Sequence, residues 1–521
     1  MGGVIAAGSQ ATVDAGAAIL AAGGNATDAA VAACFATAVG EPTLTSLAGA
    51  GVMIHRAPDD QKVTVCDFFA DGPLTPRSAV EPLDFFGVDL DFGPTTQRFY
   101  IGAASATVPG VIPGLCQILE RWGSLRLADV IKPACGMMRD GRELGPYQGR
   151  AARLLEPILT YTSGARAIFA PNGAMIAAGD RFHLPQLADT LESLAAGDWR
   201  DYYEAKLVTA MLEQFGPHRG GLLTREDFDR YEVIFREPLR RGYAGCELFT
   251  NPPPAAGGPM IAMMLSLLDP VDDDLRRGSL AHIKALSCAM AVADEARLEG
   301  IDALEGDRLD HWHRRFQRMR HGELSAPPSI PARNCTTHVS VLDDAGGAAS
   351  VTFSYGEGNA HIIGDSGIMM NNLLGEEDLF PGGFDSAPQG QRLPTMMSPT
   401  LISDPSGALT VMGTGGANRI RTAIVQVVSL LCKQGLDAEE AVAAARVHYE
   451  NGVLNAEIFE VQASDAPSSP DVFESMETKQ VVRFNEPNLF FGGVHLVRRS
   501  SEGAFSGAGD PRRGGAFTVV G

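Results

Sequence analysis

The stretch SAPPSIPARNCTTHVSVL, residues 325–342, joins two kinds of chain. In its first half, Ser325–Ala326–Pro327–Pro328–Ser329–Ile330–Pro331, the prolines fix φ and remove amide donors, so no helix or central strand runs through it. In its second half, Thr337 to Leu342 alternates with a period of two, Asp343–Asp344–Ala345–Gly346–Gly347 supplies turn residues, and Ala349 to Phe353 forms a return strand. A pliable linker therefore feeds directly into a hairpin. At the junction stands Asn334–Cys335–Thr336–Thr337–His338. A threonine at a strand start just after such a linker can be released as an N-terminal nucleophile by cutting the bond between Cys335 and Thr336. Its freed α-amine, with a pKa near ~8, is able to take the proton of its own hydroxyl. Threonine also opens many ordinary strands, so the junction alone decides little.

Upstream, Ala11 to Val39 is Ala-rich with helical spacing broken at Gly23–Gly24–Asn25, which predicts two packed helices with Asn25 or Thr27 as the cap of the second. Val52–Arg56 and Val63–Phe69 read as a hairpin across Ala57–Pro58–Asp59–Asp60. Pro109 to about Glu323 reads as mainly helical, interrupted by Asn251–Pro252–Pro253–Pro254–Ala255–Ala256–Gly257–Gly258, a rigid loop reaching the surface. Downstream, Leu409–Met412 is an apolar strand, Gly413–Thr414–Gly415–Gly416 a turn, and Ile420–Leu431 a helix. Consecutive backbone N–H groups at that helix start could hold a developing oxyanion. The lysine of a phosphate-binding loop is missing, since Ala417–Asn418–Arg419 follows, so nucleotide binding fits less well.

With 521 residues and 45% apolar side chains the chain can bury a large core, and no linker tract divides it, which favours one large unit. A net charge of −21 disfavours nucleic acid or an anionic membrane as partner and favours a small-molecule or peptide-like amide. Neither a signal-like start nor a long apolar run appears, so a cytoplasmic location is expected. The eight cysteines form no C-x-x-C pair and read as buried small hydrophobes. His311, His313 and His321 lack the spacing of a metal set, so no metal or other cofactor is expected.

Taken in order, these pieces resemble the gamma-glutamyltranspeptidase family along nearly the whole chain. The resemblance is carried by Gly23–Gly24–Asn25–Ala26–Thr27–Asp28–Ala29–Ala30, Val108–Pro109–Gly110, Pro133–Ala134 with Arg139–Asp140–Gly141, and Gly220–Gly221–Leu222–Leu223–Thr224. It continues through the Asn251–Gly258 loop, Thr336–Thr337–His338, Gly415–Gly416 with Arg419–Ile420, and Asp510–Pro511–Arg512. It implies the α+β, αββα sandwich of N-terminal-nucleophile hydrolases. Self-cleavage would leave a large subunit, 1–335, and a small one, 336–521, paired as a heterodimer. It further implies an acyl-enzyme on Thr336, an oxyanion hole from Gly415 and Gly416, and a second hydroxyl at Ser354, where the family usually has threonine.

The residues that grip the ligand depart from the family pattern. The arginine that holds the donor's α-carboxylate corresponds to Phe69, and the paired serines to Thr395 and Met396. The asparagine past the second hydroxyl corresponds to Gly356. The acidic pair falls within Leu373–Leu374–Gly375–Glu376–Glu377–Asp378, where Glu376, Glu377 or Asp378 could face an ammonium. The covering loop shortens to about Phe380–Gln391, whose Gly, Pro and Ser content implies mobility. The leading expectation is an autoprocessed amidohydrolase or acyltransferase acting on a γ-glutamyl-like amide. The alternatives are a hydrolase of altered substrate (cephalosporin-type acylase, oxamate-type amidohydrolase or side-chain-trimming hydrolase) and a non-catalytic binding homologue.

Overall fold

The computed structural model describes residues 2–91, 96–271, 278–300, 306–322, 336–380, 382–457 and 480–521. Its first layer is built by the Ala-rich segment, which forms helices Gln10–Ala21 and Ala26–Gly40. Asn25 caps the second helix: its side chain accepts from Asp28 N (3.0 Å), while Asp28 accepts from Asn25 N (2.9 Å), a reciprocal capping box. Every residue from Ala26 to Gly40 is buried, because small side chains let neighbouring layers close on this helix from all sides.

The second layer is a seven-stranded antiparallel sheet in the order 516–520, 3–7, 337–343, 348–354, 50–56, 63–68, 234–236. The third is a six-stranded antiparallel sheet ordered 505–508, 493–499, 409–415, 400–403, 246–250, 239–243. Helices Gly257–Leu268 and Arg419–Cys432 cover the outer face of this second sheet, and Leu280–Glu299 packs on Gly257–Leu268. Three apolar cores fill the three interfaces of this αββα stack: Ile5, Phe35, Val339 and Val351 under the first helices, Val4, Val52, Leu342 and Val411 between the sheets, and Met260, Ile424 and Leu496 under the last helices.

The Thr337–Asp343 strand lies at the centre of this stack and is buried on both faces. Val339 and Val341 point to the helical layer, whereas His338 and Ser340 face the second sheet, where Ser340 Oγ donates to His495 O (3.1 Å). The period-two pattern thus separates two kinds of interior.

The stretch expected to be mainly helical also contributes strands Ile234–Arg236, Leu239–Tyr243 and Cys246–Thr250. Leu239–Arg240–Arg241–Gly242–Tyr243 is an outermost strand with exposed Arg240 and Gly242, so its alternation is carried by charge and glycine, as is common at sheet edges. A hairpin of Phe86–Asp91 and Thr96–Ile101 likewise had no counterpart in the sequence reading. Gly413–Thr414–Gly415, expected as a turn, instead extends the Leu409–Gly415 strand, because pairing with Gly493–His495 outweighs glycine's poor strand preference. The turn proper is Gly416–Ala417–Asn418, with φ of +125° and +51° at its first two residues. The proline loop reaches solvent only at Pro253 and Pro254; Asn251 is buried and donates from Nδ2 to Met397 O (3.0 Å).

Candidate active site

Hairpin register explains why two hydroxyls separated by 18 residues meet. Thr337 pairs with Phe353, and one further step of the same register sets Thr336 opposite Ser354. Thr336 is 4% exposed and Ser354 3%, and both line one small cleft. Ser354 Oγ also accepts from Gly356 N (3.0 Å), which tightens the chain leaving the hairpin. Cys335 and the Ser325–Pro331 linker lie outside the described residues.

The glycine turn comes against Thr336 from the second sheet. A methyl group on Gly415 would run into the Thr336 carbonyl, so only glycine permits this approach. Thr414 Oγ1 donates to Gly415 O (2.8 Å) and accepts from Gly493 N (2.8 Å), fixing the peptide ahead of Gly416. Gly416 packs beside the Arg513 guanidinium. The arrangement sets a helix start, the Arg419–Cys432 helix, close to the Thr336 hydroxyl, where backbone dipoles favour negative charge.

The remaining walls of the cleft are Phe69, Leu373, Glu376, Leu379, Thr395, Met396, Met397, Ala417 and Ile420. Phe69 is held by its backbone: its N–H donates to Asp67 Oδ1 (3.0 Å), and its carbonyl accepts from Tyr231 Oη (3.0 Å) and Arg392 Nη1 (2.7 Å). Arg392 also binds Asp67 Oδ1 (3.0 Å) and Asp71 (2.8 Å). That guanidinium is therefore committed to holding the wall. Thr395 Oγ1 accepts from Met397 N (3.1 Å).

Of the acidic trio, Glu376 is buried in the cleft wall, Glu377 faces solvent, and the Asp378 side chain lies outside the described residues. Gly356 sits behind Glu376. With φ of +73°, it lies where a side chain would strike the Asn372 amide oxygen and press on the Glu376 carboxylate, so Glu376 occupies the room that a residue there would need. Within the loop expected at Phe380–Gln391, residues 382–391 make contacts with the body of the protein. Gly72 N donates to Gln391 O (2.9 Å), Gly390 N donates to Gly72 O (2.9 Å), and the Phe384 ring packs edge-on against Phe85 and Tyr100.

Sequence reasoning missed the apolar members Leu379, Met397, Ala417 and Ile420. It also missed a polar group beneath the site, in which Glu41 accepts hydrogen bonds from Thr12 Oγ1 (2.7 Å) and from Thr337 Oγ1. Burial pushes the Glu41 carboxyl up to about 7, against the opposing pull of the two threonine hydroxyls and Arg513. Arg513 Nη1 approaches Thr336 O at 3.4 Å. Its place directly after Asp510–Pro511–Arg512 is the one sequence signal that could have singled it out.

Among known proteins, the family model described as Gamma-glutamyltranspeptidase matches residues 12–520. The "Acylase ACY 1 proenzyme" of Pseudomonas sp. (strain SE83) is 30% identical, the match covering 97% of this chain and 94% of the relative. The "Glutathione hydrolase proenzyme" of Escherichia coli (strain K12) is 28% identical over 98% of this chain and 90% of its own. Among solved structures, cephalosporin acylase from Bacillus halodurans superimposes with a TM-score of 0.82 at 22% identity, covering 99% of this chain and 95% of that one, a likeness of fold.

Proposed function

The chain belongs to the gamma-glutamyltranspeptidase family, and from that premise we propose that it is a self-cleaving amide hydrolase or acyltransferase in which Thr336 is the nucleophile. The observation that carries this reading is the convergence, from two sheets, of Thr336 and Ser354 on one cleft that Ala417 of the turn also lines, with Gly415 packed against the Thr336 carbonyl. Scission between Cys335 and Thr336 would free the α-amine. That amine takes the Thr336 hydroxyl proton as Oγ1 attacks the donor's amide carbon. The oxygen that becomes negative is stabilised at the glycine turn, and the leaving amine departs with the proton. Water or an acceptor amine, deprotonated by the same α-amine, then attacks the ester and restores Thr336. Ser354, opposite Thr336 in the hairpin, orients the nucleophile.

The cleft walls favour an acyl group richer in hydrocarbon than γ-glutamate. Phe69, Leu373, Leu379, Met396, Met397 and Ile420 offer no charge to an α-carboxylate, and a charge-assisted contact of ~1.5–3 kcal/mol is forgone. Glu376 supports a second reading, that a donor ammonium is still recognised. The curated relatives named acylase and glutathione hydrolase fit either reading. The test is kcat/KM for γ-glutamyl-p-nitroanilide against an anilide whose acyl group lacks the α-amino and α-carboxylate groups, with intact-mass detection of the acyl adduct on Thr336. The apolar anilide is expected to be preferred by about tenfold or more, each 1.4 kcal/mol being a factor of ten. A large preference for the γ-glutamyl compound overturns the apolar reading, and an adduct elsewhere overturns the nucleophile.

A further inference from the structure

We infer that Glu41 is a positioning residue for the nucleophile, acting through the Thr337 hydroxyl, with Arg513 as its counterpart on the other side of the Thr336–Thr337 peptide. The inference rests on the reading of Thr336 as nucleophile. Glu41 follows the last turn of the Ala26–Gly40 helix and is fully buried. Nothing in the helix calls for a carboxyl group there: a helix C-terminus is the negative end of the dipole, and burial destabilises a carboxyl unless hydrogen-bond partners compensate. The partners found are Thr12 Oγ1 and Thr337 Oγ1, and the wall beside the carboxyl is Gly8, where a methyl group would collide with Glu41. The pocket is thus shaped around a carboxyl, and one of its two hydroxyl partners belongs to the residue directly after Thr336.

Arg513 closes the other side. Nη1 lies 3.4 Å from Thr336 O, Nη2 lies 3.5 Å from Leu489 O, and Nε has no hydrogen-bond partner among the described residues. These long or absent contacts leave the guanidinium chiefly an electrostatic neighbour of Thr336 O, the Gly415–Gly416 turn and Glu41. Glu41 holds residue 337 by its side chain, and Arg513 brackets residue 336 by its carbonyl.

Such a clamp depends on protonation. An ionised carboxylate accepts from both threonines. A protonated carboxyl must donate one hydrogen bond, so one hydroxyl has to turn and the Thr336–Thr337 backbone loses a restraint. The titratable or charged groups facing Glu41 are Arg513 from the Pro511–Arg513 turn and the Cys34 thiol from its own helix, itself pushed up by burial. The α-amine that cleavage would give Thr336 joins them. With burial pushing Glu41 up to about 7, the change falls in the neutral range.

The experiment is a kcat and kcat/KM profile from about pH 5.5 to 9 on processed wild type, Glu41→Gln, Thr337→Val and Thr337→Ser, with fragment analysis alongside. Wild type should show an inflection near that value, separate from the amine's near ~8. In Glu41→Gln it should vanish, with kcat lower by about tenfold and KM changed less than about twofold. Thr337→Val should move it upward, since a hydrogen bond to the ionised form is lost, and Thr337→Ser should restore it. If Glu41→Gln fails to process, the Thr337 pair decides. Superimposable profiles for Glu41→Gln and wild type, or for Thr337→Val and Thr337→Ser, overturn the inference. A wild type that forms no adduct on Thr336 overturns instead the reading on which it rests.

Discussion

A methyl group is the smallest side chain that could be added at Gly415, and it would meet the Thr336 carbonyl rather than open space. Gly415→Ala is therefore expected to lower kcat by about 10²-fold or more, by pushing the turn off the reacting carbonyl while the sheet behind it persists. Stopped or steady-state turnover on protein proven to be cut at Thr336 checks this, and near-normal turnover would remove the turn from the mechanism. Thr336, Gly415 and Gly416 stand in short stretches that can be singled out locally, whereas Ser354 was pointed to only by the family resemblance, and its place opposite Thr336 follows from the hairpin register. Among the acidic trio spacing could not choose, and only the packing of Glu376 against Gly356 distinguishes it from solvent-facing Glu377. Glu41 and Arg513 were illegible for a different reason: the first reads as the end of a helix and the second as part of a tail. Their relation exists only once strand Thr337–Asp343 lies between them.

At the scale of the element, the Gly24–Asn25 break shows how a cap makes a boundary readable. Asn25 exchanges two hydrogen bonds with Asp28 and donates from Nδ2 to Trp122 O (2.8 Å), so it both starts a helix and ties it to its neighbour. Asn25→Ala should cost about 0.5–2 kcal/mol, read as a lowered urea midpoint with unchanged m-value in the uncut Thr336→Ala background. A loss well under that range would mean that the surrounding packing alone sets the helix start. The Thr337–Ser354 hairpin was equally readable, since its alternation and its turn agree. Strand Leu239–Tyr243 was not, because at this sheet edge two arginines and a glycine take the places of an apolar alternation, and the short Cys246–Thr250 strand that pairs with it went unread as well. Nor was the strand character of Gly413–Gly415, which is conferred by the neighbouring strand.

Across the whole molecule, several histidines are buried in neutral form. Burial lowers His55, His448 and His495 to about 4 and His338 well below its ordinary value. Between about 6.5 and 4 the unfolded chain binds more protons than the folded one, so the stability these rings contribute is present above the unfolded value and is lost as pH falls through that window. The melting temperature should drop as the buffer is taken from pH 7 toward 4, more steeply than in His495→Gln; a flat profile would show that these rings titrate freely. Glu41, raised rather than lowered, works the other way: its contribution is full below about 4.5 and fades as pH rises through about 7. The order of strands in the first sheet has a consequence of its own. Gly3–Ala7 lies between Ala516–Val520 and Thr337–Asp343, so a segment from the start of the chain is threaded between two from beyond residue 336. Once the bond before Thr336 is cut, neither piece can leave without tearing open the ladder of the other. After denaturation the two must find each other again by diffusion, so recovery of the cut protein should be slow and depend on concentration, whereas uncut Thr336→Ala recovers independently of it. The molecule would then be assembled once, as a single chain, and persist by the height of its unfolding barrier, with a lifetime set by kinetics and no easy way back.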